Sequence, residues 1–133
     1  MGLVIGTAAG GYSAYKTAKT NYVDPWDGKR IYPNNDGALV NWTSKTLNPG
    51  ERIDRYGILK GNYFSPEGTP LEMRSLHPYS NTETYNAFEV VKSFDVSSSV
   101  VAPFYNQPGL GIQYKSVMSI ETLLNKGYIR PIK

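Results

Sequence analysis

From Glu51 onward the chain consists of short apolar stretches separated by clusters of Gly, Pro, Ser and Asn, and no other feature constrains the fold as much. The stretches are Arg52 to Tyr56, Tyr85 to Phe94, Val100 to Phe104, Ile112 to Lys115 and Tyr128 to Ile132. Each is short, carries β-branched or aromatic residues and is bounded by turn formers, so each is expected to be a strand. The Ser97-Ser98-Ser99 run reads as a turn. Only Ser119 to Lys126 carries a full helical signal in this half: Ile120, Leu123 and Leu124 share a face, Ser119 can cap, and Gly127 can end it. Strands followed by one late helix predict a single α+β domain with a mainly antiparallel, twisted sheet as its core.

The first fifty residues read differently. Asp24-Pro25, Asp27-Gly28, Pro33-Asn34-Asn35-Asp36-Gly37 and Asn48-Pro49-Gly50 are turn signals, which leaves residues 20–50 irregular apart from a short helix expected near Ala38 to Ser44. Met1 to Lys19 is rich in Gly and Ala. Its apolar run, Leu3 to Gly11, is too short to span a bilayer, and the basic start and cleavage site of a signal peptide are missing. Two readings stay open for residues 1–22: a linker from an upstream delivery region, or an N-terminal helical segment of the domain. Residues 23–133 are expected to form the domain itself.

At 133 residues the chain can bury one core without disulfides or a metal. Its 40% hydrophobic content, with 11 tyrosines and 4 phenylalanines, argues against disorder. The net charge of +3 is spread along the sequence without a Lys/Arg block, which disfavours nucleic acid as a partner. The absence of cysteine excludes disulfides, thiolate metal sites and thiol nucleophiles. One histidine, His77, and no carboxylate cluster at ligand spacing leave no metal site in view and weaken any Ser-His mechanism. His77 is read as structural or solvent-facing. Gly109-Leu110-Gly111 lacks the third glycine and the following helix of a dinucleotide fingerprint.

What remains is an arrangement of polar and aromatic residues. Arg55 and Arg74 flank Gly61-Asn62-Tyr63-Phe64, and Gln113 sits in Gly111-Ile112-Gln113-Tyr114 behind a Pro/Gly loop. Arginine suits bidentate phosphate recognition, Tyr and Phe stack on heteroaromatic rings, and a neutral glutamine can hold a water or a sugar hydroxyl. Together they fit a phosphorylated nucleotide bearing a ring. Each also has a purely structural explanation: Arg55 pairing with Asp54, Tyr63 in the core, Gln113 satisfying buried backbone.

The ordered motifs carry a resemblance. Gly50-Glu51-Arg52-Ile53-Asp54-Arg55-Tyr56-Gly57, Gly61-Asn62-Tyr63-Phe64-Ser65-Pro66-Glu67-Gly68-Thr69-Pro70, Arg74-Ser75-Leu76-His77-Pro78 and Tyr85-Asn86-Ala87-Phe88 are followed by the run from Ala102 to Tyr114 and by Leu123-Leu124-Asn125-Lys126-Gly127-Tyr128-Ile129. In order and spacing this set resembles the tuberculosis necrotizing toxin family of NAD(P)+ glycohydrolases. The resemblance implies cleavage of the nicotinamide–ribose bond of NAD+ or NADP+ without metal or cofactor. Carried over by position, Gln113, Arg55 and Tyr63 form the catalytic set, Arg55 and Arg74 bind the diphosphate, and Tyr56, Phe64 and Asn86 complete the substrate site. Asn86 stands where a histidine occurs in the family. The resemblance also implies a secreted toxin acting in a target cell's cytosol, with no stable membrane insertion, and a cognate immunity protein as partner. Two alternatives remain. One is an ADP-ribosyltransferase, although no Glu-x-Glu or Gln-x-Glu pattern is present and Glu89 and Glu121 read as surface charges. The other is a noncatalytic binding domain.

Overall fold

The computed structural model describes residues 22–24 and 26–132. Seven strands form one antiparallel sheet: β1 (Thr43–Leu47), β2 (Arg52–Tyr56), β3 (Tyr63–Pro66), β4 (Tyr85–Val90), β5 (Phe94–Val100), β6 (Ile112–Lys115) and β7 (Ile129–Pro131), in the order β1-β5-β6-β3-β2-β4-β7. The single described α-helix is α1 (Ile120–Asn125). Ser119 caps it by accepting from the Thr122 N–H at 3.1 Å, and the chain turns away at Gly127. The expected N-terminal helical segment lies outside the described residues.

Alternation along the strands divides the sheet into two faces. One face carries Ile53, Phe64, Phe88, Val90, Phe94, Val96 and Tyr114, and α1 presses Ile120 and Leu123 against it. The other face takes the residues one step out of phase. Across the β3–β6 and β5–β6 registers Tyr63 opposes Lys115 and Gln113 opposes Ser99, so Tyr63, Gln113 and Ser99 share the surface opposite the core.

Several elements differ from the sequence expectation, among them the strand β3, which the sequence reading does not include. Ala38 to Ser44 forms no helix; the chain enters β1 at Thr43, because pairing Thr43 to Leu47 against Ser98 to Phe94 satisfies the backbone and buries Leu47. The Ser97-Ser98-Ser99 run is strand, not turn. It lies between β1 and β6, whose ladders supply hydrogen bonds from both sides and override weak propensity. The reversal falls earlier, so Tyr85 to Phe94 splits into β4 and the start of β5. Conversely, Ala102 to Phe104 continues past β5 as loop.

That loop is tied down. Gly109 and Gly111 donate backbone N–H groups to the carbonyls of Glu72 and Met73, Gln107 donates to Leu76 O at 2.8 Å, and Ser75 Oγ donates to Ala102 O at 2.8 Å. The residues before β1 run over the same end of the sheet. Ala38 bridges Val101, Ala102 N donates to Gly37 O, and Leu39 N donates to Val100 O. The arm at residues 32–37, the 74–77 segment and the outer face of β3 and β6 thereby enclose a cavity.

Candidate active site

The cavity has a volume of about 450 Å³ and is lined by Arg55, Tyr63, Arg74 and Gln113 together with Tyr32, Asp36, Gly37, Ser75, Leu76, His77, Val101 and Tyr105. A recess of about 50 Å³ adjoins it, shared by Arg55, Tyr63, Arg74 and Gln113 and floored by Tyr56, Phe64 and Ser65. Four polar positions far apart in sequence thus converge on one concavity of ligand-binding size.

Arg55 arrives by way of a turn. Its Nε donates to Ile58 O at 2.8 Å and one terminal nitrogen donates to Tyr63 O at 2.8 Å. The guanidinium lies directly over Gly61, where a Cβ would stand 2.0 Å from its second terminal nitrogen and 2.2 Å from its central carbon. Gly61 is therefore the residue that lets Arg55 fold back to the cavity, a role its place in the motif did not reveal. Two carbonyls hold the group, yet among the described residues no carboxylate neutralises it. Burial pulls its pKa below the usual arginine value. A half-buried cation fixed by neutral acceptors is suited to an anionic ligand.

Arg74 is different. It is buried, one terminal nitrogen sits 2.7 Å from Asp54 Oδ1, and its Nε and other terminal nitrogen donate to Thr69 O at 3.0 and 2.7 Å. Asp54 Oδ1 has no other polar partner among the described residues, so the Arg74 charge is what compensates it. Asp54 Oδ2 accepts from Gly68 N at 2.9 Å and from the Tyr85 hydroxyl at 2.7 Å. Desolvation first, and this bond to Asp54 second, push the Tyr85 pKa up to about 12. Arg74 also lies 4.8 Å above the Tyr56 ring, which itself packs 4.9 Å from Tyr85. Its charge is matched within the protein, which leaves it to a ligand only as a donor of its remaining N–H groups. The ion pair that sequence allowed between Asp54 and Arg55 forms instead between Asp54 and Arg74.

Gln113 stands on β6 with its amide against the backbone of the 35–37 turn: a Cβ on Gly37 would lie 3.7 Å from Nε2. Nε2 is buried and has no hydrogen-bond partner within the described chain. Such a donor is costly unless a ligand or water completes it. Tyr63 flanks it, 6.5 Å from Trp42 in an edge-on contact; burial, then the nearby Asp36 carboxylate, raise its phenol pKa, with Lys115 opposing.

The remaining expectations divide. Tyr56 reaches only the small recess. Phe64 is a core residue, 3% exposed and packed on Phe94 and Tyr114, so its contribution is support rather than substrate contact. Asn86 opposes Arg55 in the β2–β4 register, but β2 separates it from β3 and it does not line the cavity. His77 lines the cavity but both its ring nitrogens are taken up within the protein. It is 4% exposed, its Nδ1 accepts from Tyr79 N at 3.0 Å, its Nε2–H donates to Tyr22 O at 2.7 Å, and Tyr22, Tyr32, Tyr79 and Tyr105 surround it. Among the described residues no group of three or more His, Cys, Asp or Glu side chains could hold a metal ion, and no helix is long and apolar enough to cross a membrane. The sequence reading did not single out Asp36, Tyr32 or Tyr105 as cavity residues; Asp36 lay in the Pro33-to-Gly37 turn signal, Tyr105 in the Ala102-to-Tyr114 run, and Tyr32 in neither.

The ordered motifs that frame this cavity fall within residues 46–132, the span matched by the family model described as tuberculosis necrotizing toxin. The chain belongs to that family. A conidial surface nicotinamide adenine dinucleotide glycohydrolase, nadA, of Aspergillus fumigatus is 31% identical over 129 residues, covering 82% of this chain and 55% of the relative. The chain thus spans about half the length of that curated relative. Among solved structures, tuberculosis necrotizing toxin complexed with its immunity factor IFT aligns with a TM-score of 0.64 at 28% identity, over 83% of this chain and 66% of that one. Rhs1-CT in complex with its cognate immunity protein RhsI1 aligns at 0.52 and 11% identity, over 76% of this chain and 84% of that chain, a likeness of fold. The toxin-family match covers β2 to β7, whereas Tyr32, Asp36 and Gly37 of the cavity wall precede it.

Proposed function

We propose that this domain hydrolyses the bond between nicotinamide and ribose in NAD+ or NADP+, releasing nicotinamide and ADP-ribose or its 2′-phosphate. The observation that carries this reading is the buried, unpartnered amide of Gln113 beside the uncompensated Arg55 guanidinium in one cavity. Membership of the toxin family and the glycohydrolase relative support it.

The chemistry suits a site without a strong acid. Nicotinamide leaves as a neutral molecule from a cationic glycoside, so it needs no protonation of the kind ordinary glycosidases supply from a carboxylic acid. The site has to orient the dinucleotide, exclude water from the leaving ring and stabilise an oxocarbenium-like ribose. In this reading Arg55 holds the diphosphate, aided by the remaining N–H groups of Arg74. Tyr63 packs on the nicotinamide ring or its ribose. Gln113 fixes a ribose hydroxyl or the attacking water. No metal or cofactor takes part.

Depletion of NAD in the cytosol of a target cell after secretion follows as the biological role, and a producing cell then needs a cognate immunity protein, of the kind that accompanies both structural neighbours. The test is incubation of the purified chain with NAD+ and assay for free nicotinamide. Loss of turnover in Gln113→Ala with an unchanged circular dichroism spectrum is expected; full turnover in that variant overturns the role of Gln113. Labelled NAD+ with added proteins separates the alternatives: free ADP-ribose supports hydrolysis, labelled protein supports transfer, and intact NAD+ supports a binding domain.

A further inference from the structure

The cavity carries a second charge that no motif assigns. Asp36 lines it from the 35–37 turn, next to Gln113, because Gly37 packs against the glutamine amide. The turn holds Asn35, Asp36 and Gly37 at φ of 56°, 52° and 85°, three successive left-handed residues, which costs energy for the two that are not glycine. It is fastened by Trp42 Nε1 donating to Asn35 O at 3.0 Å and by Asn35 Nδ2 donating to Val40 O at 3.1 Å. Lys115 grips Asp36 Oδ2 at 2.8 Å and stacks 4.6 Å above Trp42, yet Lys115 is not part of the cavity wall. Oδ1 has no partner among the described residues.

The cavity is therefore polarised. With Arg74 matched by Asp54, the wall keeps the Arg55 cation, which no carboxylate of the described residues meets, and the Asp36 carboxylate, which is 58% exposed and shared with Lys115. The substrate proposed above has the same polarity reversed: a diphosphate anion, then a ribose, then a pyridinium cation. Resting on that reading, we infer that Asp36 is a specificity-determining residue that faces the cationic nicotinamide ring and selects the oxidised dinucleotide over the reduced one. NADH has the same phosphates and sugars but an uncharged dihydropyridine, so Arg55 and Gln113 treat both forms alike and Asp36 does not. The carboxylate also remains beside the positive charge as it passes from the ring to the ribose.

The experiment compares NAD+ and NADH on one enzyme. NAD+ turnover gives KM, and NADH as a competitive inhibitor gives Ki, for wild type, Asp36→Asn and Asp36→Glu. An exposed charge pair worth about 1 kcal/mol corresponds to roughly fivefold. Asp36→Asn is expected to raise KM for NAD+ by about that factor while Ki for NADH stays unchanged, and Asp36→Glu should restore most of the difference. A merely structural role for the turn moves KM and Ki together. Equal change in both constants, including no change in either, overturns the assignment to Asp36 while leaving the glycohydrolase reading intact. Absence of NAD+ cleavage by wild type instead removes that reading. Equilibrium titration of both dinucleotides, following NADH emission and tryptophan quenching, then decides Asp36 alone: a ratio of affinities unaltered by Asp36→Asn refutes it.

Discussion

Replacing Gly61 by alanine tests whether Arg55 acts through its guanidinium or only packs there. The added methyl carbon would stand 2.0 Å from one terminal nitrogen of Arg55 and 2.2 Å from its central carbon, inside any permissible contact. The obstructing atoms are the far end of a flexible side chain, so the backbone can stay and the guanidinium must leave. It then loses its bonds to Ile58 O and Tyr63 O, both 2.8 Å long. The group is half-buried and returns to water, and alanine loses less backbone entropy than glycine by about 0.4–1 kcal/mol, so net destabilisation should stay within about 1–2 kcal/mol.

The effect on binding is larger. One hydrogen bond to a charged group contributes about 1.5–3 kcal/mol, which corresponds to a fall in kcat/KM of roughly 10- to 150-fold, carried by KM if Arg55 only anchors phosphate. Steady-state nicotinamide release reads the rate constants, and a thermal melt reads the fold. The decisive comparison is a double-mutant cycle. In an Arg55→Ala background, Gly61→Ala should cause no further loss, because the group it displaces is gone. A folded Gly61→Ala protein with kcat/KM within twofold of wild type refutes the role given to Arg55.

Asp54→Ala leaves Arg74 buried without its counter-charge and should destabilise the fold by about 3–5 kcal/mol, measured by urea unfolding; a cost under about 1 kcal/mol shows that water replaces the carboxylate. Tyr85 has its pKa raised from 10.0 to about 12 in the folded state, so its bond to Asp54 contributes fully below pH 10 and is lost as pH rises toward 12, where the unfolded chain has already given up the proton. The urea midpoint should fall more steeply between pH 10 and 12 in wild type than in Tyr85→Phe, and parallel profiles count against that account. His77→Phe keeps the aromatic cage but removes the bonds to Tyr22 and Tyr79; the melting temperature should drop by several degrees while kcat stays within a few-fold, and a kcat loss beyond about a hundredfold makes His77 chemical.

The sequence pattern made some of this legible because local and tertiary preferences agree there. Arg52 to Tyr56 and Ile112 to Lys115 are strands with the expected ends, and Ser119 to Asn125 is the expected capped helix. Where they disagree, pairing decides: three serines form the middle of β5 because β1 and β6 hydrogen-bond to them. Phe64 and Tyr63 are adjacent and equally aromatic, yet strand alternation sends one to the core and the other to the cavity. Without knowing which face is buried, both read as candidates to stack on a ligand. Asp36 was hidden for another reason. It reaches the site through backbone packing of a turn on Val101 and Gln113, contacts more than sixty residues apart that leave no local signal.

In the Asp54-Arg55 dipeptide two opposite charges stand side by side and do not serve each other. Opposite charges next to each other invite an ion pair, but successive side chains of a strand point to opposite faces, so residues i and i+1 within β2 cannot close one. Asp54 instead collects Arg74, Tyr85 and the Gly68 N–H, fixing the chain after β3 and the segment that walls the cavity. Arg55 turns over Gly61 and is held by carbonyls alone, retaining a positive charge that Asp54 would otherwise cancel. A slip of one residue in β2 exchanges these fates: the arginine meets Arg74, and the carboxylate takes the place of the cation at the cavity. Register therefore matters to the chemistry as much as side-chain identity. The five-residue β2–β4 ladder fixes it, pairing Arg52 through Tyr56 with Glu89 through Tyr85 and setting Ile53 against Phe88 in the core.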